Sequence, residues 1–446
     1  MSPPLDPAQV FRQLPALLPG HWRRRRGQLG PPQVVLSLMV MTVLGTQGYE
    51  RTLDEMKEQL GQVLGWKTPD DVPSASALCQ ARRKLDAKTC AELVSQVYAL
   101  CTTARSCAGI GYGGFRLLAM DGTKLPLPAY AALAAHFGCP THGEGKALLG
   151  PQASLTVLWD VGANQPVAWR VGPYVVSEQA HAVELVSATG AGDLLLGDRN
   201  FPSRRLLTMV RQRGVQVLMR VRAGCANALR EVVAFLASGA NDAVVDLESR
   251  DEHDRPDPTQ PTLRVRLLRA VLPDGSVAVY LTSLTDSQQH PAQALIDLYT
   301  QRWRIETAFR ELKIWHGLER FHARHVDGIA QEIAAVMIFQ LLASELEAQV
   351  RKQCPDAQTP ANPSDSTPQT LHRPNIRFNR RIVADCALRI LFTATSGRDL
   401  AEAFDYALYR IWRYRQKIKP DRSFPRRRKS PPRGWKPRGT KGKGRT

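Results

Sequence analysis

YTQRWRIETAFRELK, residues 299–313, carries four chemically distinct side chains at fixed intervals: Tyr299, Arg302, Glu306 and Lys313. Read as one helix, their offsets of 0, 3, 7 and 14 fall within a stripe roughly 60° wide at about 100° per residue. Leu298, Ile305, Phe309 and Leu312 form an apolar stripe beside it that would seat the helix on a core. A phenol, a guanidinium, a carboxylate and an ammonium aimed at one point suit a phosphodiester. The carboxylate would hold a metal and the cations would hold phosphate oxygens. A solvated face with an ordinary Arg302–Glu306 i,i+4 pair would use the same residue types.

Working outward, the chain upstream alternates short strands and helices from residue 114. FRLLAMDGTKLPLP is an apolar run ending in Asp121 and Gly122, and DLLLGDRNF is a buried strand with Asp198 at its C-terminal end. ASLTVLWD and QPVAWRVG read as a hairpin around residues 162–164, and helices are expected over 177–189 and after Phe201. Acids at strand ends followed by an acid-bearing helix suit an α/β core, in which ligands approach the strand C-termini. An Asp before Gly is also a common turn residue, and an Asp after a strand often caps a helix. Asp160 and Asp193 are rivals, the first on a neighbouring strand and the second at the opposite end of its own. The set chosen is Asp121, Asp198 and Glu306.

Tyr-x2-Arg-x3-Glu-x6-Lys, with RWRIE inside it and Asp198-Arg199-Asn200-Phe201 upstream, resembles the YREK signature of the insertion-element-four family of bacterial DDE transposases. The resemblance covers roughly residues 115–345. It implies an α/β fold with an RNase H-like catalytic core and a β-rich insertion, flanked by helical N-terminal and C-terminal regions. It also implies Asp121, Asp198 and Glu306 as catalytic metal ligands, with Tyr299, Arg302 and Lys313 on the DNA. Three carboxylates can bind two divalent cations, and oxygen-only ligands favour Mg²⁺, with Mn²⁺ as substitute. By the same resemblance, the enzyme cuts at the terminal inverted repeats of an insertion sequence, passes through a hairpin, and joins the end to target DNA within a homodimeric synaptic complex.

The expected organisation is a helical, end-binding N-terminal region over 1–110 and the core over 114–222. The insertion follows at 223–290, the YREK part of the core at 291–350, a Pro-rich loop at 355–375, C-terminal helices at 376–418 and a basic tail at 419–446. Arg82, Arg83 and Lys84 lie on an N-terminal helix and are candidates for a DNA-facing surface. The insertion, by resemblance, contacts the DNA end. It contains no Trp, and Tyr280 is the candidate for a base-stacking aromatic.

Net charge is +19 over 446 residues. Residues 410–446 hold 16 Lys or Arg against one acid, a balance of +15, which leaves +4 for residues 1–409. A polyanionic partner is expected, with the tail attracted to phosphate by counterion release. Eight cysteines with no CxxC pair argue against a zinc knuckle or a disulfide framework. His316, His322 and His325 lack the partners of a zinc site. MSPPLDPAQVF has no signal-peptide layout, and the apolar run over 34–44 is too short for a bilayer, so a cytoplasmic protein with no membrane partner is expected. Two rival functions remain: a metal-dependent nuclease on the same fold, and a catalytically inactive DNA-binding derivative.

Overall fold

A computed structural model of the chain describes residues 29, 31–43, 45, 48–64, 66–104, 111–140, 150–223, 228–251, 253, 255–314, 316–353, 372–373, 389–390, 400–414 and 416–417. The expected basic tail, nearly all of the 355–375 segment and the basic turn before residue 29 lie outside the described residues.

Four helices come first: α1 (Pro31–Val43), α2 (Tyr49–Leu64), α3 (Ala75–Arg82) and α4 (Ala87–Ala104). Pro31 and Pro32 open α1, where a missing N–H costs nothing. Ser74 caps α3 by accepting from Ala77 N at 3.2 Å.

The chain then builds a nine-stranded mixed sheet. Its order is β4 (Gln165–Pro173), β3 (Gln152–Asp160), β2 (Phe115–Pro126), β5 (Asp193–Gly197), β6 (Gln216–Val221), β9 (Val277–Thr282), β8 (Leu263–Val271) and β7 (Asp242–Leu247), with β1 (Gly111–Tyr112) paired to β2. β2, β5 and β6 run parallel and every other pairing is antiparallel. β5 is buried along its whole length, as a parallel strand covered on both faces must be.

The β-rich stretch expected at 223–290 extends this sheet, because β9 pairs with β6 through Leu218–Val221. It is not a separate body. Helix α7 (Arg204–Gln212) packs on β6 and β8, and α6 (Glu178–Leu185) packs on β3 and β4.

Helix α11 (Val326–Gln353) ties the two halves together by packing on α1, α4 and β4. Its stretch Val326–Gln349 is long and apolar enough to cross a membrane, yet it is largely buried inside the protein, so it serves as a core helix. Gln340 Nε2 and Ser344 Oγ donate to Asn164 O at 3.0 and 2.8 Å. They fasten the β3–β4 turn, in which Asn164 takes the left-handed φ of 56°.

Arg82 is 1% exposed and bonds Glu332 Oε1, Gln331 Oε1 and Tyr49 OH, each at 3.0 Å. This corrects its expected place on a DNA-facing surface. A buried guanidinium needs its partners, and α11 supplies two of them. Arg83 and Lys84 are exposed.

Candidate active site

The sheet sets the first two carboxylates side by side. The last parallel pair between β2 and β5 is Met120 with Gly197, and Asp121 and Asp198 are the residues that follow this pair in the chain. β5 ends there, but β2 does not. It stays paired with β3 from Leu118 to Pro126, so Asp121 sits mid-strand and not at the expected strand end. Asp198 instead turns the chain, accepting from Asn200 N at 2.8 Å.

The third carboxylate arrives from a broken helix. The expected single helix over residues 299–313 is three pieces: α9 (Ala292–Tyr299), a 3₁₀ turn (Thr300–Arg302) and α10 (Trp303–Ile314). Thr300 Oγ1 donates to Asp297 O at 2.6 Å, a side-chain bond that competes with the helical ladder at the break. The break still leaves Arg302 beside Glu306. Arg302 Nη2 donates to Glu306 Oε1 at 2.8 Å, and Nη1 stands 3.5 Å from Asp121 Oδ2. One guanidinium, with its side chain 8% exposed, therefore joins two of the three expected acids.

Burial pushes the Asp121 carboxyl up to about 7. The Gly122 N–H and Arg302 pull it down, while Asp198 and Glu178 push it further up. Tyr299 is buried, with its ring 4.8 Å from that of Tyr280, and burial raises its phenol to about 12. Arg302 lies 5.8 Å from the Tyr299 ring and 5.2 Å from that of Trp303. Lys313 is held farther along α10 by Glu319 at 2.8 Å and by Lys124 O at 3.3 Å. It thus meets the strand that carries Asp121, three residues further on.

Tyr280, the aromatic expected to stack on a base, is 5% exposed inside the sheet and unable to present its face. The exposed aromatic at this site is Trp303, 57% exposed and next to Arg302, which the four-residue spacing passed over. The rival acids are structural. Arg116 holds Asp193 at 2.7 and 2.8 Å, and Tyr98 OH donates to Asp160 at 2.9 Å.

Among the described residues no group of three or more His, Cys, Asp and Glu side chains converges as a metal centre. Asp121, Asp198 and Glu306 nonetheless offer only oxygen donors, the chemistry a hard divalent cation takes. Two of these acids already share the buried Arg302 guanidinium. His316 packs on Phe339, and His325 Nδ1 accepts from Gly328 N.

Residues 112–342 match the family model for the transposase DDE domain. Over 313 residues the chain is 28% identical to the transposase InsG for insertion sequence element IS4 of Escherichia coli (strain K12), covering 69% of this chain and 67% of that protein. A cryo-EM structure of the piggyBac transposase synaptic complex with hairpin DNA aligns over 91% of this chain and 85% of its own, with a TM-score of 0.42 and 11% identity.

Proposed function

We propose, from the premise that this chain belongs to the DDE transposase family, that it cuts and joins DNA at the ends of an insertion sequence through Asp121, Asp198 and Glu306. The observation that carries the reading is the side-by-side placement of Asp121 and Asp198, with Arg302 linking Asp121 to Glu306. β4-β3-β2-β5-β6, three antiparallel strands followed by two parallel additions, is read as an RNase H-like core.

Asp121, Asp198 and Glu306 would hold Mg²⁺, or Mn²⁺ in its place. The cations would supply charge stabilisation and activation of the attacking oxygen in phosphoryl transfer. The protein's own part is positioning. The sheet fixes the two aspartates, and the Arg302 fork orients Glu306 while presenting positive charge to phosphate oxygens. Lys313 adds a second cation beside β2, and buried Tyr299 packs against Arg302 and fixes it. The terminal repeats and target DNA are the substrates, and the working form is a homodimer in the bacterial cytoplasm. The N-terminal helices, docked on α11, would grip the element's ends.

The test is a labelled duplex carrying the element's end, incubated with Mg²⁺, Mn²⁺, Ca²⁺ or no metal, with Glu306→Gln run in parallel. Metal-dependent cleavage with a hairpin or joined product, absent in the variant, supports the reading. Hydrolysis with no joined product would favour a nuclease. Binding with no cleavage by either protein would leave a DNA-binding derivative.

A further inference from the structure

A fourth acid, Glu178, stands at the same place and is absent from the spacing that identified the other three. It opens α6 directly after the N-cap Ser177. Its carboxylate lies over the Asp121–Gly122 backbone. A Cβ built on Gly122 would clash with Glu178 Oε1 and fall 2.6 Å from its Cδ and Cγ. Residue 122 therefore has to be glycine for Glu178 to reach this position, and no left-handed backbone is involved. The next residue, Gln179, donates to Asn200 O at 2.6 Å, so the first turn of α6 is tied to the loop that carries Asp198.

Glu178 has no hydrogen bond or ion pair among the described residues, although it is only partly exposed. Three other shielded acids are paired with arginines. Arg116 serves Asp193, Arg204 and Arg230 serve Glu231, and Arg82 serves Glu332. The charged side chains near Glu178 include Asp198 and Lys124. Lys124 spends its ammonium on Tyr174 O. A shielded carboxylate with no ion-pair or hydrogen-bond partner of its own is costly, and metal coordination is one role that keeps such a group.

We propose that Glu178 is a fourth carboxylate of the active site, acting with Asp121 and Asp198 to draw in and hold the divalent cation. The inference rests on the active-site reading above. The full-length protein would be compared with Glu178→Gln, Glu178→Asp, Gly122→Ala, Asp198→Asn and Glu184→Gln. Glu184 sits on the same helix but is exposed and paired with Arg170. Mn²⁺ binding would be followed by electron paramagnetic resonance without DNA, and end cleavage by Mg²⁺ titration.

The expected result is roughly tenfold or greater weakening of Mn²⁺ binding in Glu178→Gln, with a matching rise in the Mg²⁺ needed for half-maximal cleavage. Glu178→Asp recovers part of the loss, Gly122→Ala weakens binding by displacing the intact side chain, and Glu184→Gln behaves as wild type. If Glu178→Gln binds Mn²⁺ as wild type does while Asp198→Asn does not, Glu178 is dismissed and the active-site reading stands. If Asp198→Asn also binds as wild type, the active-site reading itself fails and this inference falls with it.

Discussion

Arg302 stands 3.5 Å from Asp121 through one terminal nitrogen, and its other terminal nitrogen is bonded to Glu306 at 2.8 Å. The planar fork reaches both acids at once, which a lysine ammonium cannot do. Arg302→Lys should slow single-turnover cleavage of an element end by about 10-fold or more. Arg302→Ala should slow it by about 10²–10³-fold, the range for losing a preorganised electrostatic contact. Equal rates for wild type and Arg302→Lys would show that charge alone is enough.

Asp121 makes stability depend on pH. Burial raises its folded carboxyl from 3.8 to about 7, so the folded state favours the protonated form. The stabilisation is complete below about pH 4 and is lost as pH rises through 7. The loss is on the order of 4 kcal/mol at neutral pH for the metal-free protein. Glu178 is raised in the same direction. Metal-free protein should melt at a higher temperature at pH 5 than at pH 8, and Asp121→Asn should flatten that slope. Saturating Mg²⁺ should restore stability above pH 7.

The buried Arg82–Glu332 pair predicts a contrast between breaking and replacing it. Glu332→Ala leaves the 1% exposed guanidinium uncompensated and should cost about 3–5 kcal/mol in urea unfolding. The double substitution Arg82→Met, Glu332→Leu should cost clearly less, because no lone charge remains in the core.

Asp160 and Asp193 should separate folding from chemistry. Asp160→Asn and Asp193→Asn each weaken a bond to Tyr98 or Arg116 and should destabilise by about 1–3 kcal/mol. Cleavage per folded molecule should stay at the wild-type rate. A thousandfold loss in either variant would move the catalytic set away from Asp121 and Asp198.

Local patterns in the chain were legible where a residue's own chemistry decides the structure. The buried run DLLLG and the turn around Asn164 each follow from side-chain or backbone preferences within a few residues. The nearness of Arg302 to Glu306 also survives the helix break, since the four-residue separation lies almost wholly within α10. What could not be read depends on partners distant in sequence. β2 runs past Asp121 because β3 continues to pair with it, and Arg82 is buried because α11 supplies Glu332 from 250 residues away. Glu178 belongs to the same class. Its place over Gly122 is a contact across 56 positions that no spacing rule encodes.

Helix α11 spans 28 residues, about 42 Å of rigid rod, and packs against the N-terminal helices and the central sheet alike. A grip on DNA by those helices would therefore be joined to the cutting site by a strut and not by a hinge. With such a grip the protein would act as a ruler. The offset between a sequence held there and a phosphate cut at the carboxylates would be set by packed side chains such as Arg82 and Glu332, and a softened joint there would blur the position of the cut before it lowered its rate.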